Sequence, residues 1–120
     1  MASPAWYHGT GMVLDPGDLI LPGCDPRMNL SRPGRVYFTS DLLWALGYAV
    51  IDPDPHVYQV VPLALRTYRD VTSFCGVIDH DARWSCQPLV VAGEVSIPAD
   101  IRHRMTDLVR SRLGEEVSCG

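Results

Sequence analysis

The sequence predicts an α+β fold: a split, mostly antiparallel sheet with flanking helices and a C-terminal helix. Three observations carry that expectation. Two apolar stretches rich in valine, residues 57–65 and 89–97, have the length and residue type of strands. Two segments, 42–50 and 101–113, repeat apolar residues at helical spacing. Ten prolines and ten glycines punctuate the rest, with no internal repeat. With 120 residues the chain makes one domain, spanning 1–120, large enough to bury a core.

The elements follow in order. Trp6 to Thr10 reads as a first strand, and Asp15-Pro16-Gly17-Asp18 as a turn. Leu19 to Leu21 is a brief extended piece. Residues 22–35, with Pro, Gly, Asn, Ser and three arginines, form a loop of functional length. Val36 to Thr39 is a strand. Ser40 or Asp41 caps the helix that follows, whose stripe is Leu42, Leu43, Leu46, Ala49 and Val50. Asp52-Pro53-Asp54-Pro55 stops it. Val57 to Leu65 is the next strand, and residues 66–88 are ambiguous, with Val71 to Phe74 extended. Leu89 to Ile97 is the last strand. Asp100 caps the final helix, with Ile101, Met105, Leu108, Val109 and Leu113 on its apolar side and Gly114 at its end.

Composition narrows the function classes. The net charge of -4 argues against a general nucleic-acid binder, which carries a basic face. No apolar run reaches the length of a membrane span and no signal-type segment opens the chain, so a cytoplasmic protein is expected. All ten basic residues are arginine, whose planar fork suits phosphate. Cys24, Cys75, Cys86 and Cys119 form no CxxC pair, so neither a zinc site nor a disulfide framework is predicted. Asp79-His80-Asp81 has metal-ligand residue types, but neighbours in sequence cannot readily turn to one centre. No metal is expected, and a monomer is.

Five motifs stand in series: Tyr7-His8-Gly9-Thr10, Pro16-Gly17-Asp18-Leu19-Ile20, Val36-Tyr37-Phe38-Thr39, residues 57–62 (VYQVVP) and residues 88–95 (PLVVAGEV). In this order, over residues 6–97, the chain resembles the rifampin ADP-ribosyltransferases. These are small bacterial enzymes that inactivate rifamycins by attaching ADP-ribose to a hydroxyl. Their fold is similar to that of poly-ADP-ribose polymerases and diphtheria toxin.

The resemblance implies NAD as co-substrate and His8, Tyr37 and an acid as the catalytic set. His8 would offer a ring nitrogen to a ribose hydroxyl. Gly9, without a side chain, would bring its backbone close to the carboxamide, and Thr10 would support the turn. Tyr37, with Tyr48 eleven residues later on the helix, would clamp the pyridinium ring. That attraction serves binding and orientation, because the ring loses its charge on leaving. Asp70 is the first choice for the acid, with Glu94 second and Asp79 and Asp81 third. Arg27, Arg32 or Arg35 would meet the diphosphate, Arg27 foremost.

The chain departs from the family where Val61-Pro62-Leu63-Ala64 replaces Glu-Pro-Thr-Gly, and again across residues 75–84. Ala45 stands where the polymerase branch has the serine that holds the carboxamide. The expected function is NAD-dependent transfer of ADP-ribose to a hydroxyl of a rifamycin-type small molecule. Two alternatives stay open: a protein or nucleic-acid acceptor, or a module that binds NAD or ADP-ribose without catalysis.

Overall fold

The computed structural model describes residues 5–23, 34–69, 72–74 and 77–118. The expected α+β class is what it contains, with three antiparallel sheets and two helices. The strands are β1 (Trp6–Thr10), β2 (Leu19–Ile20), β3 (Val36–Phe38), β4 (His56–Pro62), β5 (Tyr68–Arg69), β6 (Thr72–Phe74), β7 (Val77–Asp79), β8 (Arg83–Ser85) and β9 (Leu89–Glu94). The helices are α1 (Leu42–Ala49) and α2 (Ala99–Ser118).

The largest sheet has the order β1-β4-β9-β2, the second β3-β8-β5, and β6 and β7 form a hairpin of their own. Among the described residues the backbones of the two larger sheets are joined by an antiparallel bridge between Tyr7 and Thr39. There the Tyr7 N–H donates to the Thr39 carbonyl at 2.8 Å and the Thr39 N–H to the Tyr7 carbonyl at 3.0 Å.

Alternation on β1 sorts its side chains to two faces. One face lies between the sheets, over a core of Ile20, Val36, Phe38, Tyr58, Val60, Leu89 and Val91. The Tyr58 hydroxyl, wholly buried, donates to the Met12 carbonyl at 2.9 Å and accepts from the Leu14 N–H at 2.8 Å, tying down the chain after β1. The other face carries the helices, over Ala45, Leu46, Ala49, Val50, Val57 and Val109.

Gly9 decides how α1 sits. A Cβ on Gly9 would lie 1.9 Å from the Ala45 carbonyl oxygen and 2.9 Å from the Ala49 nitrogen. The helix backbone therefore rests directly on the strand, a close approach that only glycine permits. This rotates the buried stripe to Ala45, Leu46 and Ala49 and leaves Leu43 56% exposed, against the expectation that it lies inside. The N-cap is Asp41 rather than Ser40; its carboxylate accepts from the Leu43 and Trp44 N–H groups.

Other boundaries move as well. β4 starts at His56 and stops at Pro62, short of Leu65; proline has no N–H to continue a ladder. β9 ends at Glu94, although the Val95 N–H still reaches the Val57 carbonyl at 2.8 Å. The ambiguous stretch 66–88 contains β5, β6, β7 and β8, of which the sequence pointed only to β6, through the extended run expected from Val71 to Phe74. α2 begins at Ala99, so Asp100 lies in its first turn, and it runs through Gly114 to Ser118. No helix among the described residues is long and apolar enough to cross a membrane.

Candidate functional site

The site is built where β1 passes β3. His8 alternates onto the face between the sheets and is 5% exposed. Its Nδ1–H donates to the Tyr37 carbonyl at 2.6 Å. With that proton fixed on Nδ1, the neutral ring carries its lone pair on Nε2. Two motifs that stand 29 residues apart are thus joined by one hydrogen bond. His8 and Tyr37, with Ile20, Leu21, Gly23, Arg35 and Val36, line a narrow cleft with about 10 Å³ of free interior. That is room for about one water molecule, far below the roughly 300–1,000 Å³ of pockets that enclose a small ligand. A ligand ring would rest at the mouth of this cleft unless its walls move apart.

Thr10 is buried and its hydroxyl accepts from the Met12 N–H at 3.1 Å, which stiffens the turn after β1 as expected. Gly9 has the structural duty already described. Ala45, at the position of the polymerase serine, is fully buried, with its carbonyl against Gly9.

Tyr48 stands in the last turn of α1 with its ring 5.6 Å from that of Trp44, tilted by 35°. Its hydroxyl donates to Asp79 at 3.3 Å. Asp79, at the end of β7, is 1% exposed. Its carboxylate also accepts from the Thr39 hydroxyl at 3.3 Å and from the Asp81 N–H at 3.0 Å. Burial pushes the Asp79 carboxyl above the usual carboxylate range, and these three donors pull partly the other way. Tyr48 and Thr39, which stands two residues after Tyr37, thus meet on the Asp79 carboxylate.

The candidate acids separate clearly. Asp79 is tied to Tyr48. Asp81 is exposed beside it. Glu94 is engaged elsewhere, accepting from His56 Nδ1 at 3.0 Å while Asp54 accepts from His56 Nε2 at 3.0 Å. The hydrogen bond to Glu94, then that to Asp54, holds the His56 imidazole above its ordinary pKa. Asp70 lies outside the described residues, as do Arg27 and Arg32. Of the three arginines, Arg35 is the one the described structure places in the cleft lining. Its guanidinium lies over the Trp84 ring, 3.7 Å from the ring centre, a cation-π contact.

Sequence reasoning missed the Asp79–Tyr48–Thr39 junction and the Trp84 stack. Both depend on strands of two or three residues, too short to show a period. Among the described residues no three His, Cys, Asp or Glu side chains gather as metal ligands. Of the cysteines, Cys86 lies among the described residues as an exposed free thiol.

No protein-family model and no curated protein matches the chain.

Proposed function

We propose that the chain is an NAD-dependent ADP-ribosyltransferase whose acceptor is a hydroxyl of a rifamycin-type small molecule. The observation that carries this reading is the His8–Tyr37 hydrogen bond inside the cleft. It joins the two motifs on which the family resemblance most depends, and it fixes the His8 ring against the strand that carries Tyr37.

In this reading the nicotinamide ring lies at the mouth of the cleft against Tyr37, with Tyr48 of α1 the second member of the clamp that the resemblance implies. His8 Nε2 accepts from a ribose hydroxyl and sets the angle of the sugar. Arg35 donates to the diphosphate, taking the part first assigned to Arg27. The bond from ribose to the pyridinium nitrogen breaks with its electron pair going to nitrogen, so nicotinamide leaves neutral and the ribose becomes an oxocarbenium-like cation. An acceptor hydroxyl adds to that carbon and gives up its proton. Asp70, carried over from the resemblance, supplies the carboxylate that stabilises the cation or takes the proton.

The test is incubation of the protein with NAD and rifampicin, read by mass spectrometry. An ADP-ribose adduct that is lost in Tyr37→Ala supports the proposal. Free nicotinamide without an adduct keeps the NAD chemistry and moves the acceptor to a protein or nucleic acid, a reading favoured by the divergent segment 75–84. NAD binding with neither product would leave a binding module on this fold.

A further inference from the structure

A second cavity shares none of the residues that line the His8 cleft. It opens at the end of the larger sheet, where β4 begins, β9 ends and residues 95–98 lead into α2. Its free interior is about 140 Å³, against about 10 Å³ in the cleft. Roughly 10–15 Å³ of such space holds one water, so the cavity has room for a molecule of up to about ten non-hydrogen atoms. Leu46 and Val57, both 1% exposed, close it on the inner side.

Two charged residues set its chemistry. Glu94, at the end of β9, and Arg102, near the start of α2, both line it. No ion pair joins the two, and the Arg102 side chain has no polar partner among the described residues. Glu94 is held in place from β4: it accepts from His56 Nδ1 at 3.0 Å, while His56 Nε2 bonds to Asp54 at 3.0 Å. The His56 ring in turn lies nearly parallel to that of the buried Tyr58, at 16° with the centres 6.1 Å apart. Asp54 balances a protonated His56, so the charge of Glu94 still faces a ligand. A carboxylate has two oxygens, and one of them stays open here; Arg102 keeps its whole fork of donors.

An anion alone would be repelled by Glu94, and a cation alone by Arg102. A molecule that carries both signs satisfies both walls through charge-assisted hydrogen bonds. We propose that this cavity binds a small α-amino acid, with its ammonium on Glu94, its carboxylate on the Arg102 guanidinium and its side chain toward Leu46 and Val57. The NAD chemistry places no residue here, so the site stands or falls without it.

The test is calorimetric titration of the standard L-amino acids from glycine to glutamine in size, one at a time. The best binder is then compared with its amide, which lacks the carboxylate, and with its N-acetyl derivative, which lacks the ammonium. Each derivative is expected to bind about tenfold more weakly or worse, the loss of one charged hydrogen bond. Arg102→Gln should weaken the amino acid by a similar factor and abolish its preference over the amide. Arg102→Lys, which keeps the charge without the fork, should fall between. Arg102 is exposed, so both variants should melt like the parent, which separates lost binding from lost folding. Glu94→Gln should abolish the preference over the N-acetyl derivative. Failure of every amino acid in this set to bind overturns the site, and so does equal binding by Arg102→Gln. An amide that binds as well as the amino acid removes the role of Arg102 and overturns the assignment. An N-acetyl derivative that binds as well makes this a site for simple carboxylates and overturns it too.

Discussion

Gly9→Ala is a one-carbon change with a large expected effect. The added Cβ would lie 1.9 Å from the Ala45 oxygen, and real Cβ contacts stay beyond 3.0 Å. Either β1 or α1 must therefore retreat by about 1 Å. Neither side has a flexible tip to yield, because the atoms met are the helix backbone at Ala45 and Ala49. β1 is held on one edge by five paired residues of β4 and on the other by the Tyr7–Thr39 bridge. The retreat therefore falls on α1, which also packs with Val109 and Met105 of α2. Overpacking of this kind costs about 1–3 kcal/mol, and rigid backbone on both sides puts Gly9→Ala at the upper end. For a chain of this length each kcal/mol lowers Tm by roughly 3–5 °C, so a fall of about 10 °C is expected in a thermal melt followed by circular dichroism. The same displacement moves Tyr48, on α1, away from Asp79, so the proposed NAD chemistry should weaken as well. A Tm within about 2 °C of the parent would refute the claim that α1 rests on Gly9.

Three further outcomes follow from side chains described above. Tyr58→Phe leaves the Met12 carbonyl and the Leu14 N–H without their partner, which should cost about 1–3 kcal/mol in a denaturant titration. Asp79 has a raised pKa in the folded state. Its carboxylate therefore costs stability as pH rises past the ordinary aspartate value of about 3.9. Asp79→Asn should match or exceed the parent's Tm at neutral pH and lose that advantage in acid; a variant less stable at pH 7 would contradict the sign. The His56 pKa is raised too, so its clasp on Glu94 and Asp54 is complete below about pH 6.5 and is lost as pH rises through the folded-state value. Melts across that range should show a fall in Tm for the parent that is smaller in Glu94→Gln.

Much of the architecture was legible because it is written in periods. β1, β3, β4 and β9 are apolar or alternating runs, and α1 follows a capping aspartate. The errors have local causes. Leu43 fits the helical stripe, but the contact at Gly9 draws the small residues Ala45 and Ala49 inward instead. Gly114 reads as a helix end, yet one glycine in a helix costs only about 1 kcal/mol, which 20 residues of α2 absorb. The strands of 66–88 are too short for any periodicity, and pairing with neighbours distant in sequence makes them. The same division applies to the site. His8 and Tyr37 announce themselves as motif residues. The buried Asp79 does not, because its role depends on β7 returning to α1 across 31 residues.

The pair of hydrogen bonds between Tyr7 and Thr39 has a wider meaning. Among the described residues it is the whole backbone attachment between strands of the two larger sheets. A continuous ladder would force any shift in one sheet to be copied by the next. The hem keeps the Tyr37 carbonyl within reach of His8, while Val36 and Phe38 bind the smaller sheet to the shared core. The outward residues of the smaller sheet take no part in that core, so they can be rewritten for a new task while the seam stays as it is.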